Sequence, residues 1–279
     1  MSAASARPGG VNRAYALGLA RAFAGAVIFS LPLLMTMEMW WFGFTLEPLR
    51  LLQFMLVNFV VLIGLSRAAG FEETYSRRED ALDALAAYGI AAIASAAILL
   101  LFGVIAGGQS AGEVAGKIAV QAVPASFGAL IANKQLGATQ EVDGDAERWR
   151  ATYAGQLFLM LAGALFLSFN VAPTEEMVLI AYRMTPWHGL ALVAVSMLAL
   201  HMFVYSVGFA GQEKGHDRGA WATFVHYTLV GYGIAAAASL YVLWTFGRIE
   251  GADFAQVAMM VAVLAFPGAI GAAIARLLV

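Results

Sequence analysis

Eight uninterrupted apolar stretches, near 16–39, 49–69, 81–106, 113–133, 151–173, 187–209, 220–246 and 254–278, dominate this chain and limit what it can fold into. Each holds the roughly 20 residues that a helix needs to cross a hydrocarbon layer of about 30 Å. None alternates with the period of two that a membrane β-barrel requires. With 61% hydrophobic and 12% charged residues and a mean hydropathy of +0.77, there is far more apolar surface than one soluble core can hide. The sequence therefore predicts an all-α, polytopic bundle of about eight spanning helices. Lipid is the implied surrounding partner. Residues 1–15 are polar and lead into a first stretch too long for a signal-peptide core, so that stretch is expected to persist as a span.

Orientation follows from basic residues. Arg7, Arg13, Arg21, Arg67, Arg77, Arg78, Lys134, Arg148, Arg150, Lys214, Arg218 and Arg276 make twelve on the side of the termini, against Arg50, Lys117, Arg183 and Arg248 on the other. The positive-inside rule then places both termini in the cytoplasm, with Trp40, Trp41 and Trp187 at the outer interface. The expected location is an inner (plasma) membrane.

The chain also repeats itself. Tyr88-Gly89-Ile90-Ala91-Ala92, Ala94-Ser95 and Phe102-Gly103 recur 144 residues later as Tyr232-Gly233-Ile234-Ala235-Ala236, Ala238-Ser239 and Phe246-Gly247. Pro124 and Gly128 recur as Pro267 and Gly271 at offset 143, and Thr36-x-Glu38-Met39 with Pro48 recurs as Thr174-x-Glu176-Met177 with Pro186 at offset 138. Gly70-Phe71 and Gly208-Phe209 keep that last offset. The pattern predicts a tail over 1–15, a four-helix unit over 16–136, a linker over 137–149 and a second four-helix unit over 150–279. Four spans per unit is an even number, so the units share one orientation about an axis along the membrane normal.

The repeat selects candidate site residues. Glu38 lies 17 positions after Arg21, about 25 Å along a helix, which places it and its counterpart Glu176 near the outer end of the first helix of each unit. A carboxylate there needs water, a cation or a polar interior, and two around a common axis could attract cations or bind a proton. The alternative is that both reach the headgroups and help cap a helix; Glu175 reads as a solvated neighbour. Pro124 and Pro267 fall mid-span and are expected to kink or interrupt their helices, exposing carbonyls at the midplane. Gln121, Ser126, Asn58 and His201 are further polar candidates for a pathway, against the blander reading of hydrogen bonds between helices.

Other chemistry is poorly supplied. The chain has no Cys and four His, and lacks Gly-x-Ser-x-Gly, His-Glu-x-x-His and Gly-Lys-Ser/Thr motifs. No enzyme, metal site or cofactor is expected, and a net charge of -2 without basic runs argues against a nucleic-acid partner. Small residues four apart, such as Gly103 with Gly107 and Gly112 with Gly116, permit close helix contact or a homo-oligomer.

The segment Leu31-Pro32-Leu33-Leu34-Met35-Thr36-Met37-Glu38-Met39-Trp40-Trp41, with about eight spans, resembles a family of uncharacterised bacterial integral membrane proteins. That resemblance covers nearly the whole chain and implies a small companion protein as a partner. A fainter similarity is to bacterial relatives of the lysosomal potassium channel, whose first helix has an Arg followed by Phe-Ser-Asp; here Arg21 precedes Phe29-Ser30 at wider spacing, and Leu31 replaces the Asp. It implies cation conduction. Two functions result: a channel or transporter for a small cation or proton, or a non-transporting scaffold or sensor acting through a partner, with a dry, well-packed axis.

Overall fold

The structure, a computed structural model, describes residues 8–69, 77–135, 144–207 and 220–278. Gly70-Phe71, Gly208-Phe209, Arg7, Lys214, Arg218 and most of the expected linker lie outside the described residues. The elements are α1 (Pro8–Leu34), α2 (Met37–Thr45), α3 (Pro48–Ala69), α4 (Arg77–Leu101), α5 (Ala111–Gln135), α6 (Gly144–Ala151), α7 (Tyr153–Val171), α8 (Glu175–Arg183), α9 (Pro186–Val207), α10 (Ala220–Thr223), a π-helical turn (Phe224–Leu229), α11 (Val230–Thr245) and α12 (Phe254–Leu278). Among them, eight helices are long and apolar enough to span a membrane.

Three features differ from the sequence expectation. Helix α1 already starts at Pro8, inside the expected tail, because proline at a first helical turn loses no bond and presets φ. The first expected span is too long, and the fifth is followed by a short helix that was not expected. Residues 37–39 belong to a separate short helix, α2, and the stretch after Val171 turns into another, α8. Apolar composition runs straight through the first turn, so hydropathy alone cannot see it, whereas the second opens on Pro173-Thr174-Glu175-Glu176, where the expected span also stops. Finally, Pro124 and Pro267 interrupt nothing: both lie inside helices that continue on either side. Each proline deletes one backbone N–H. The dry packing around Pro124, with Val120, Val123, Ala125 and Phe127 all buried, holds the helix through that loss.

Contacts divide the bundle in two. α5 runs through the first group, against α1, α2, α3 and α4, and α12 runs through the second, against α7, α8, α9 and α11. The tightest crossing in each group depends on glycine. A Cβ on Gly25 or Gly128 would collide with the backbone or side chain of the other helix, because α1 and α5 touch at Gly25, Gly128 and Ala132. α7 and α12 touch in the same manner at Gly163, Gly271 and Ala275. Such backbone approach replaces the hydrophobic driving force that lipid does not supply.

Candidate functional site

Glu38 and Glu176 are held by helix starts. α1 stops where its last carbonyls find partners outside the helix: Pro32 O accepts from Thr36 Oγ1 (2.6 Å), Leu33 O from Gln121 Nε2 (3.0 Å) and Leu34 O from Trp40 Nε1 (2.8 Å). Thr36 is extended (φ -95°, ψ 117°) and opens α2, whose first turn holds Glu38. In the second group, Thr174 is extended (φ -74°, ψ 145°), donates to Val171 O (2.9 Å) and opens α8 with Glu175 and Glu176 in its first turn. An acidic first turn complements the positive end of a helix. The recurring Thr-x-Glu is thus a helix-start signal. Gln121, expected to line a pathway, ties off the end of α1.

Both carboxylates act electrostatically on Arg248, which sequence reasoning counted only as an outer positive charge. Arg248 sits in the turn between α11 and α12, with its backbone N–H on Leu243 O (2.9 Å) and glycines of positive φ on either side, Gly247 at 67° and Gly251 at 74°. Its guanidinium lies 5.1 Å from the Phe42 ring centroid, and its Nη2 donates to Pro173 O. Burial pulls the Arg248 guanidinium below its ordinary value, while Glu175, Glu38 and Glu176 pull it back up. Three carboxylates from two helix starts therefore act electrostatically on one arginine. Its Nε is buried without a hydrogen-bond partner.

A second contact runs the opposite way. Arg50, at the start of α3, pairs with Glu250, lies 3.7 Å from Glu47 Oε2, donates to Trp244 O (3.4 Å) and covers the Trp244 ring at 5.3 Å. Each helix group thus sends one arginine across to the other, at the end of the bundle away from the described terminal helix ends.

Below these arginines the boundary is filled by phenylalanine. Phe42 packs on Phe246 (4.8 Å between ring centroids), Phe246 on Phe54 (5.6 Å), Phe54 on Phe169 (5.1 Å), Phe169 on Phe127 (5.9 Å), Phe127 on Phe166 (6.0 Å) and Phe166 on Phe29 (5.6 Å). Every one of those contacts joins the first group to the second. Phe54, Phe127, Phe169 and Phe246 are at most 3% exposed. Offset and edge-on rings of this kind add specific attraction to their burial and leave no polar lining for water. Further along, Leu65, Phe127, Ile131, Phe166 and Gly271 border an apolar crevice of about 70 Å³.

The other expected pathway residues sit inside single groups. Asn58 Nδ2 donates to Tyr88 Oη (2.8 Å) and Ser126 Oγ (3.1 Å), Tyr88 Oη donates to Met55 O (3.0 Å) and Ser126 Oγ to Val123 O (2.6 Å), which knits α3, α4 and α5 together. His201 meets Thr228 Oγ1 at 2.8 Å, joining α9 to the π-helical turn in the second group. Glu38 and Glu176 thus act electrostatically on one arginine, Asn58 and Ser126 share one network, and Gln121 and His201 belong to neither. Among the described residues, no three His, Asp or Glu side chains form a metal-binding group.

These features define a polytopic α-helical membrane protein whose two helix groups are joined by crossed arginines and a phenylalanine column. Residues 18–279 match the model of a family described as "Putative integral membrane protein (DUF2391)", and the chain belongs to that family. No curated protein and no solved structure matches the chain.

Proposed function

We propose that this protein is a non-transporting membrane scaffold or sensor that acts through a partner protein. The observation that carries this reading is the phenylalanine column, in which rings from the two helix groups alternate along the boundary where a pathway between them would have to run. An ion crossing there would lose its hydration shell with no oxygen to replace it. The two groups are tandem copies of one ancestral unit: the glycine crossings use positions 138 residues apart on α1 and α7 and 143 apart on α5 and α12, the offsets at which the sequence repeats. Both termini are cytoplasmic, the membrane is the bacterial inner membrane, and a small companion membrane protein is the expected partner.

The test is flux through purified protein in liposomes. Neither potassium nor proton flux above that of empty liposomes is expected; clear flux of either ion would end the scaffold reading.

A second reading, a gated path for a small cation or proton, draws support from the excess of carboxylates around Arg248. It requires Arg248 to swing away and expose Glu38 and Glu176 to an incoming cation. In that case Arg248→Gln should produce flux, and neutralising both carboxylates to Gln should abolish it.

A further inference from the structure

The first helix group carries a cavity that neither the arginines nor the phenylalanine column uses. It measures about 330 Å³ and is lined by Met37, Trp40, Trp41, Phe44, Val104 and Lys117 among others. That volume falls within the range of small-molecule sites.

Its construction begins with two glycines. α2 lies directly on α5 because Gly43 and Gly116 meet backbone to backbone, where a Cβ on either would clash. The same approach fixes Lys117 beneath α2. Residues 37, 40, 41 and 44 then form a stripe of helical spacing on the other side of α2, which roofs the cavity with Met37, two indoles and Phe44. Gly103, with φ at 71°, turns the chain after α4 and sets Val104 O facing Lys117.

Lys117 is 5% exposed, an unusual degree of burial for an ammonium group. Its Nζ donates to Glu113 Oε1 (2.6 Å) and to Val104 O (3.3 Å), and sits 5.5 Å from the Phe44 ring centroid. An ammonium has three N–H donors, so one is left for whatever occupies the cavity. Because Glu113 neutralises the lysine, the site has no net charge with which to gather a soluble anion. What it offers is one strong donor within aromatic walls, beside residues that face outward: Trp41 is 60% and Met37 67% exposed.

We infer that this cavity holds one membrane lipid at the level of its glycerol and phosphate, with a lipid oxygen accepting from Lys117 Nζ and the first methylenes packed against Trp41 and Phe44. The position suits such a ligand. It lies at the end of the spans, where headgroups begin and tryptophan prefers to sit. The second helix group has no equivalent, since Met259-Met260-Val261 occupies the stretch of α12 corresponding to Lys117, and Arg248 stands where Val104 does. The inference does not depend on whether the protein conducts.

Native mass spectrometry of the full chain in detergent, with dioleoylphosphatidylglycerol added and then diluted away, tests it. Wild type should retain one lipid. Lys117→Met, which keeps length and apolar bulk but removes the donor, should lower retention about tenfold, the equivalent of one charge-assisted hydrogen bond. Trp41→Ala, at an exposed position that the fold does not need, should lower it severalfold with an unchanged melting temperature. Millimolar inorganic phosphate should displace nothing; displacement would assign the site to a soluble anion and overturn the lipid. Wild-type retention by Lys117→Met would also overturn it, and if that variant does not fold, wild-type retention by Trp41→Ala does so instead.

Discussion

The two helix groups share a plan and differ in how they satisfy polar atoms. In the first, Asn58 on α3 reaches Tyr88 and Ser126, and Lys117 on α5 is matched by Glu113. In the second, the positions at the same offsets are Ser196, which bonds only its own helix at Leu192 O (2.7 Å), Tyr232, Ala269 and an apolar stretch of α12. The first group adds to its glycine crossings one buried polar network across three helices, whereas the second adds separate two-residue links such as His201–Thr228 and Tyr153–His226. The two groups thus have in common their backbone contacts, where any added atom is felt, and differ in side-chain hydrogen bonds, which in a membrane contribute modestly one by one.

The largest effect should come from the shared feature. Gly128→Ala and Gly271→Ala each push a Cβ into the backbone of the facing helix, at Gly25 O and Gly163 O respectively. Backbone cannot rotate aside as a side chain can, so each substitution should cost about 2–3 kcal/mol, the upper range for overpacking. Thermal unfolding in detergent checks this. Equal losses support the shared frame, and a tolerated alanine at one site only would break the comparison there.

The next effect should separate the groups. Asn58→Ala removes a donor from both Ser126 and Tyr88 in a buried setting, leaving Ser126 its bond to Val123 O, at a cost of about 1–2 kcal/mol. Ser196→Ala removes a hydroxyl that bonds only within its own helix and should cost less than about 0.5 kcal/mol. If the two variants melt at the same temperature, the polar network of the first group carries no special weight.

A smaller effect is expected at the boundary. Arg248→Gln loses the donation to Pro173 and the face of Phe42 but relieves a half-buried charge, so stability should change by less than about 1 kcal/mol. The sharper readout is coupling. Glu176→Gln should weaken the wild type slightly and have no effect in the Arg248→Gln background; the same small loss in both backgrounds would mean that the carboxylate does not act on Arg248.

Eight spans and an all-helical fold were readable from hydropathy because lipid enforces the same simple demand on every segment. The break after Leu34 was not, since the residues that make it, Pro32 and Thr36, lie within apolar surroundings that hydropathy averages over, and the short helix after the break at Val171 was missed as an element. A reading for caps would have found them: an acidic residue two positions after a threonine, in both copies, is a helix start before it is an ion site. The repeat pairs Glu38 with Glu176, and both stand in the first turn of a short helix. Arg248 had no repeat partner to draw attention to it, because Val104 holds the equivalent position, and only the folded turn brings it within electrostatic reach of both carboxylates. The alternating phenylalanines were equally hidden, for in a chain this apolar no spacing marks Phe54 or Phe169 as facing the other group.

The smallest expected effect makes the most demanding use of the comparison. Gly268 and Gly271 are three residues apart on α12, yet only one of them needs to be glycine. A Cβ at Gly268 would sit 3.2 Å from Ser168 Oγ, 3.5 Å from Ser239 Oγ and 3.6 Å from Ala235 Cβ, distances at which a hydroxyl can adjust, and the first group already carries Ala125 at the matching position. Both serine hydroxyls are buried with no hydrogen-bond partner, so shifting them breaks no bond. Alanine also removes backbone freedom from the unfolded chain, a gain of about 0.4–1 kcal/mol at a helical position that accepts it. Gly268→Ala should therefore leave the melting temperature unchanged or raise it slightly. A loss as large as that from Gly271→Ala would mean that the space beside Ser168 and Ser239 is needed, and that the second group is not the first with fewer hydrogen bonds but a differently packed unit at its own proline.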